Sequence, residues 1–257
     1  MSLKIATWNV NSLRVRLGHI LKWLEDNQPD ILALQETKLT DDLFPYDDLQ
    51  KAGYHCVYSG QKTYNGVAIL SKEPLTDVIK DIPGFNCEDR RILAGTFKNI
   101  RIWNVYVPNG EHVTSQKYQF KLSWLEQLNQ FLKTELATHK KLMIMGDFNI
   151  APDSRDVHDP LQWEGQVLFS EAERAMLQNM IDLGLIDCFR LQEQPEKSFT
   201  WWDYRLNAFK RNMGLRIDHI LASPALAEQC ARCFIDKTPR SWERPSDHVP
   251  VIVELHH

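Results

Sequence analysis

The chain has 257 residues, 43% of them hydrophobic, enough to bury a sizeable core as one large domain or two small ones. No run of about 18 apolar residues exists to span a membrane, and Met1-Ser2-Leu3-Lys4-Ile5 lacks the apolar core of a signal peptide, so the chain is expected to stay in the cytoplasm. A net charge of −4 gives no global pull toward nucleic acid, and five scattered cysteines (Cys56, Cys87, Cys188, Cys230, Cys233) are no disulfide framework.

Residues Leu3 to Trp8 alternate as a strand and yield to Asn9-Val10-Asn11-Ser12, two amides of like orientation before a candidate helix cap. Leu13, Leu17, Ile20, Leu21 and Leu24 then recur at helical spacing, predicting an amphipathic helix over 12–27 that Pro29 ends. Ile31 to Leu34 is a buried strand emptying into Gln35-Glu36-Thr37-Lys38. Strands are predicted at Tyr54–Tyr58 and Val67–Ser71, and a hairpin at Ile92–Phe97 and Ile100–Val107 that leads into Pro108-Asn109-Gly110. A long helix over Lys117–Thr138 feeds the strand Leu142-Met-Ile-Met145, after which Gly146 lets the backbone approach a neighbour and Asp147 and Asn149 point to one side. A polar loop follows Pro152, and Ser170-Glu-Ala-Glu173 reads as a capping box for a helix through Leu183. Ser198–Trp202, Arg216–Ala222 and Val249–Leu255 complete the strands. With no linker and no detectable repeat, the pattern predicts one domain, 1–257, of α/β sheets packed face to face with outer helices.

Charge is uneven along this chain. Tyr204 to Ile217 carries four cations (Arg205, Lys210, Arg211, Arg216) and no acid, a candidate grip for phosphates. Cys230 and Cys233 have metal-site spacing without a second pair, and are expected to be ordinary thiols near a helix end.

Six segments end in polar residues: Asn9 and Asn11; Glu36; Tyr106 and Asn109; Asp147 and Asn149; Asp218; Asp247 and His248. Each alone is more often structural than functional, but six coinciding strand ends are harder to dismiss. The set is rich in oxygen and poor in thiolate, which suits Mg²⁺ or Mn²⁺ rather than structural zinc, and suggests hydrolysis of a phosphate ester.

Trp8-Asn9-Val-Asn11, Leu34-Gln-Glu36-Thr-Lys38, Tyr106-Val-Pro-Asn109-Gly, Gly146-Asp147-Phe-Asn149, Gly214-Leu-Arg-Ile-Asp218 and Ser246-Asp247-His248 resemble, in order, the motifs of the exonuclease III family of abasic-site endonucleases, within the endonuclease/exonuclease/phosphatase superfamily. The match runs from Lys4 to Glu254. The resemblance implies a four-layer α/β sandwich, two mixed β-sheets face to face with helices outside. It implies a Mg²⁺-dependent nuclease, with Mn²⁺ as a substitute, that cleaves 5′ to abasic sites in double-stranded DNA, removes 3′ blocking groups and acts as a 3′→5′ exonuclease. A monomer without a membrane partner, associated with the nucleoid through DNA, is expected. By the same resemblance Glu36 is the principal metal ligand, with Asn9 and Asp247 beside it. Asp147 orients or deprotonates the attacking water, Asn149 holds the scissile phosphate, His248 oriented by Asp218 donates to a phosphate oxygen, and Tyr106 contacts the phosphate. DNA contacts are implied for Asn11, Lys38, Tyr64, Arg91, Asn109, Arg205, Lys210 and Arg211, and an apolar pocket for a base-less sugar from Trp201, Trp202, Leu215 and Ile217. Two rivals remain: a phosphoesterase of the same fold acting on a lipid or inositol phosphate, which needs neither the basic loop nor the tryptophans, and a non-catalytic DNA-binding relative, which need not keep Glu36, Asp147 and His248.

Overall fold

In a computed structural model, which describes residues 2–85 and 87–256, two six-stranded mixed sheets stack face to face. Of the expected domain 1–257, Met1, Asn86 and His257 lie outside the described residues. The first sheet runs in the order Cys230–Ile235, Val251–His256, Ser2–Asn9, Ile31–Gln35, Val67–Ser71, His55–Ser59. The second runs Thr76–Ile79, Ile92–Phe97, Ile100–Tyr106, Leu142–Asp147, Asp218–Ala222, Ile186–Asp187. Each sheet has one parallel pair at its centre, Ser2–Asn9 with Ile31–Gln35 and Ile100–Tyr106 with Leu142–Asp147, and antiparallel pairing on both flanks. Each parallel pair is joined by a long helix, Leu13–Asn27 or Gln116–Thr138. The two halves are therefore built alike, although no repeat is legible in the sequence.

The unbroken apolar run at Leu142–Met145 follows from burial on both faces. Met143 and Met145 join the layer between the sheets, with Ile5, Ile69, Leu93, Ile220 and Val253. Leu142 and Ile144 face outward under Trp124, Leu125, Leu128 and Leu132 of the helix Gln116–Thr138 and Leu177 and Met180 of the helix Glu171–Asp182. On the far side Trp8, Leu32, Leu34 and Leu70 lie under Leu13, Ile20, Trp23 and Leu24. The capping box at Ser170 forms as expected: Ser170 Oγ accepts from Glu173 N, and Glu173 accepts from Ser170 N at 3.0 Å.

One polar lock crosses the apolar layer. Asn104, on the second sheet, donates to the carbonyls of Leu34 (2.9 Å) and Ala68 (2.8 Å) on the first, while Gln35 Nε2 donates to Asn104 Oδ1 (2.7 Å) and Thr7 Oγ1 (2.8 Å). Buried amides are costly unless bonded, so this network fixes how the sheets sit on each other, and with them the strand ends they carry.

Two local expectations are corrected and a third is sharpened. Ser198–Trp202 contributes only Trp201–Trp202, paired in a ribbon with Gly214–Leu215. The strand expected from Arg216 begins at Asp218. Cys230 and Cys233 lie on an edge strand that starts just past the end of the short helix Pro224–Ala227, as the expected position near a helix end allows. No helix of the described residues is long and apolar enough to cross a membrane.

Arg216 is itself a correction to the basic loop. It is fully buried, bridging Asp156 (2.6 Å) and Asp187 (2.8 Å), so it grips no external phosphate. Its Nη1 lies 3.1 Å from His219 Nδ1, while His219 Nε2 donates to the Ile150 carbonyl at 2.7 Å. That pattern holds the imidazole neutral, and burial together with the Arg216 charge lowers its pKa to about 4. The unfolded ring takes a proton below about 6.5 whereas the folded ring refuses one until about 4, so stability is lost as pH falls through that window. Between pH 7 and 4 this group alone contributes a loss of about 3 kcal/mol. Urea unfolding at stepped pH will show a correspondingly shallower acid slope for His219→Gln, which keeps both hydrogen bonds; equal slopes refute the assignment.

Candidate active site

Register across the second sheet brings three site residues into one row, Asp147 lying opposite Tyr106 on one side and Asp218 on the other. In the first sheet Asn9 pairs with Gln35, so Glu36 emerges beside it. Beyond the strand ends the chain turns sharply: Asn11 (φ 43°), Glu36 (φ 52°), Lys38 (φ 55°) and Asn149 (φ 50°) all adopt the left-handed region. Such backbone strain in non-glycine residues clusters at functional sites. Gly146 (φ 146°) is obligatory, since a Cβ there would sit 1.9 Å from the Val105 carbonyl oxygen of the neighbouring strand.

One amide joins the two sheets at their ends. Asn9 Nδ2 donates to Glu36 Oε1 at 2.9 Å and to Asp147 Oδ2 at 2.8 Å, while its Oδ1 accepts from Asn11 N at 3.0 Å. Asn9 thus presents its nitrogen to the carboxylates and spaces them. Asp147 Oδ1 accepts from Asn149 N at 2.9 Å. Burial is the main cause that raises Asp147 to about 7, with Asp218 and Glu36 adding to it and His248 and Asn9 opposing.

His248 Nδ1 is 2.8 Å from Asp218 Oδ2, and its Nε2 is 3.7 Å from Asp147 Oδ2, too far for a hydrogen bond and open to another acceptor. Burial by itself would lower His248, but Asp218 and Asp147 outweigh it and raise its pKa to about 10, so the ring carries a proton at neutral pH. The Tyr106 phenol is held well above its ordinary range, first by burial and then by Glu36 and Asp147, and keeps its proton as a donor.

Ligand atoms of Glu36, Asp147 and His248 lie within 4.8 Å of one another. His248 has its Nδ1 committed to Asp218, and the two carboxylates are the oxygen donors of this cluster. Their hard oxygens fit a divalent ion that retains waters. Asp247 is engaged elsewhere: Oδ1 accepts from Asn11 Nδ2 at 3.0 Å and Oδ2 from Trp201 Nε1 at 3.0 Å, and it is not among the clustered ligands.

The chain matches the Endonuclease/Exonuclease/phosphatase family over residues 6–248. It belongs to that family. It is 37% identical to the exodeoxyribonuclease III of Haemophilus influenzae, across 98% of this chain and 100% of that one. Its structure is similar to that of the 3′ phosphatase NExo from Neisseria bound to a product DNA hairpin (TM-score 0.98, 47% identity, 99% of this chain and 100% of that one). It is also similar to an AP endonuclease from Archaeoglobus fulgidus (TM-score 0.96, 40% identity, 99% and 100%).

Around this Endonuclease/Exonuclease/phosphatase centre the expected contact residues divide. Tyr64 is 68% exposed on a loop seated against the site by Lys38 N donating to the Asn65 carbonyl at 2.9 Å. Arg205, Lys210 and Arg211 are exposed, Arg205 paired with Asp203 at 2.7 Å. Lys38 is held inward by Glu36 (2.9 Å) and Asn11 Oδ1 (2.6 Å), and Arg91 packs over the Tyr106 ring at 4.8 Å with Asp89 as its partner. Asn149 spends its side-chain N–H groups on the Val107 carbonyl (2.9 Å) and Asp147 (3.4 Å), and its oxygen accepts from Asn109 Nδ2 at 3.2 Å. Asn109 is the exposed member of that pair.

Of the expected pocket, Trp201 alone reaches a surface. It lines an open cavity of about 680 Å³ with His158, Trp163, Val167, Leu206 and Met213. Leu215 and Ile217 are buried in the cluster beneath it, and Trp202 is fully buried, its Nε1 donating to Asn212 Oδ1 at 3.1 Å. Trp202 is therefore a core residue, because alternation along the ribbon turns it inward.

Sequence reasoning gave no role to two further groups, although Tyr204 closes the stretch Trp201-Trp202-Asp-Tyr204 that shares the family resemblance. Tyr204 hydroxyl accepts from Asn11 Nδ2 (3.3 Å) and donates to the Pro245 carbonyl (2.9 Å), tying the basic loop to the site. Lys121 lies wholly inside, behind Asn109 and Asn149. Its signal was present in the sequence: a lysine on the same helical stripe as Tyr118, Trp124 and Leu125.

Proposed function

We propose that this chain is a Mg²⁺-dependent DNA repair nuclease that cleaves the phosphodiester 5′ to abasic sites, removes 3′ blocking groups and digests duplex ends 3′→5′. One observation carries the reading: Asp147 forms with Glu36 a carboxylate pair suited to a divalent ion and lies 3.7 Å from the imidazole that Asp218 locks. The family relationship and the exposed cations of the basic loop support DNA as substrate.

Hydrolysis of a phosphodiester must place a nucleophile against an anion and stabilise the charge that builds up. Asp147, its Oδ1 held by the Asn149 N–H, takes a proton from the attacking water as general base. His248 Nε2–H donates to a phosphate oxygen, with Asp218 fixing the ring and its charge. Tyr106 and the free N–H of Asn109 donate to the same group. Glu36 and Asp147 would hold Mg²⁺, which supplies Lewis-acid stabilisation of the phosphate when bound. The bond from phosphorus to the 3′ oxygen breaks, leaving a 3′-hydroxyl and a 5′-phosphate.

The test is a duplex bearing a tetrahydrofuran abasic analogue and a second ending in 3′-phosphate, each with Mg²⁺ or EDTA. Absence of metal-dependent incision and trimming on both refutes the reading. Trp201 supplies the apolar wall for a base-less sugar. Trp201→Ala is expected to lower the preference for the abasic strand over undamaged DNA roughly 10–100-fold, while Trp201→Phe keeps most of it; unchanged competition between the two duplexes excludes this role.

A further inference from the structure

Burying a lysine costs solvation, so a fully enclosed one needs partners for every proton. Lys121 has no exposed side-chain surface, and its Nζ donates to the Asn149 carbonyl at 2.7 Å, the Asn109 carbonyl at 3.1 Å and Glu173 Oε1 at 2.5 Å. Glu173 is anchored in turn by Leu168 N (3.0 Å), Ser170 N (3.0 Å) and Ser170 Oγ (2.5 Å), and Tyr118 hydroxyl bonds Ser170 Oγ at 2.5 Å. The stem is enclosed too, since a Cβ on Gly110 would meet Lys121 Cδ at 3.2 Å. Buried ion pairs are weak contributors to stability, and apolar replacement of both partners is often neutral. Stability alone is thus a poor reason for this placement.

Its position suggests another. Asn109 and Asn149 sit on separate loops, after the strands Ile100–Tyr106 and Leu142–Asp147, and the Asn149 N–H holds Asp147. We propose that Lys121 is a positioning residue for the hydrolysis inferred above, on which reading this inference rests: it clamps the carbonyls of Asn109 and Asn149 and so aims the Asn109 amide at the phosphate and Asp147 at the water. Displacement of reacting groups by about 1 Å can cost about 10²-fold in rate, so a clamp on two loops at once has leverage on turnover.

The test is Lys121→Met/Glu173→Gln, which removes both charges together and strands neither. With 3′-phosphate duplex and Mg²⁺, the single-turnover rate is expected to fall roughly 10–100-fold, with KM for DNA little changed and a cooperative melt retained at a lower Tm. In an Asn109→Ala/Asn149→Ala background the same change should cost less than about threefold, because the groups it aims are gone. A wild-type rate in the double variant, or the full loss persisting in that background, overturns the proposal. An inactive wild-type chain on the same DNA instead refutes the nuclease reading. Should Met and Gln prevent folding, Lys121→Gln/Glu173→Gln, which retains hydrogen-bonding ends, carries the same cycle with the same two overturning results.

Discussion

Replacing Asp147 by Asn is expected to lower turnover by about 10³-fold while leaving DNA affinity within a few-fold of wild type. The carboxylate is completely enclosed and accepts from Asn149 N and Asn9 Nδ2. An amide of the same shape keeps one of these bonds and faces Asn9 Nδ2 with a second donor, a local cost of about 1–3 kcal/mol, which a fold with two bonded sheets absorbs. What it cannot do is accept a proton, and it removes one of the two charges that keep His248 protonated. Both losses, together with a weaker hold on Mg²⁺ from one carboxylate fewer, act on the chemical step at saturating DNA, so they appear in kcat. Single-turnover cleavage, equilibrium binding by fluorescence anisotropy and thermal melting separate the possibilities. A rate within tenfold of wild type, or lost binding with a collapsed melting curve, is incompatible with the catalytic assignment.

Glu36→Gln is the second large effect. Two carboxylates with ligand atoms inside 4.8 Å repel, and here one Asn9 amide and the Lys38 ammonium lie beside them. Removing one negative charge from a site with two clustered carboxylates weakens a divalent ion directly, and loss even of a ligand's supporting partner typically costs about 10–100-fold in affinity. Mg²⁺ affinity measured by titration calorimetry should drop by at least that range, and activity should be recovered partly by excess Mn²⁺. EDTA should silence the wild-type enzyme, and added Mg²⁺ should restore it. Unchanged ion binding in Glu36→Gln would move the metal away from this carboxylate. Asp247→Asn gives the contrast: its oxygens are occupied by Asn11 and Trp201, so its loss should disturb the tryptophan wall more than ion affinity.

Most strands and the three longest helices were legible because each carries its own periodicity. The buried-strand reading of Leu142–Met145 needed only its apolar run, and the Ser170 cap only its Ser-x-x-Glu spacing. Short edge pieces were not legible. Thr76–Ile79 is largely exposed, and Cys230–Ile235 buries few of its side chains, so neither shows a face. Their strand character comes from the neighbour that supplies hydrogen bonds. Arg216 failed for a related reason: local sequence reports charge, but only the distant Asp156 and Asp187 reveal where that charge is spent.

Apolar runs broken by polar residues were enough to name the side chains at the strand ends, because a buried strand must stop where its polar neighbours begin. The sequence by itself determined the residue chemistry of Asp147, Asn149, His248 and Glu36 for the same reason. The tertiary structure alone decided how those groups are used. The distance from Asn9 to two carboxylates, the proton on His248, the inward turn of Trp202 and the enclosure of Lys121 depend on two sheets locked face to face by Asn104 and Gln35. Desolvation and register between distant strands set them, and neither is a property of any local stretch of chain.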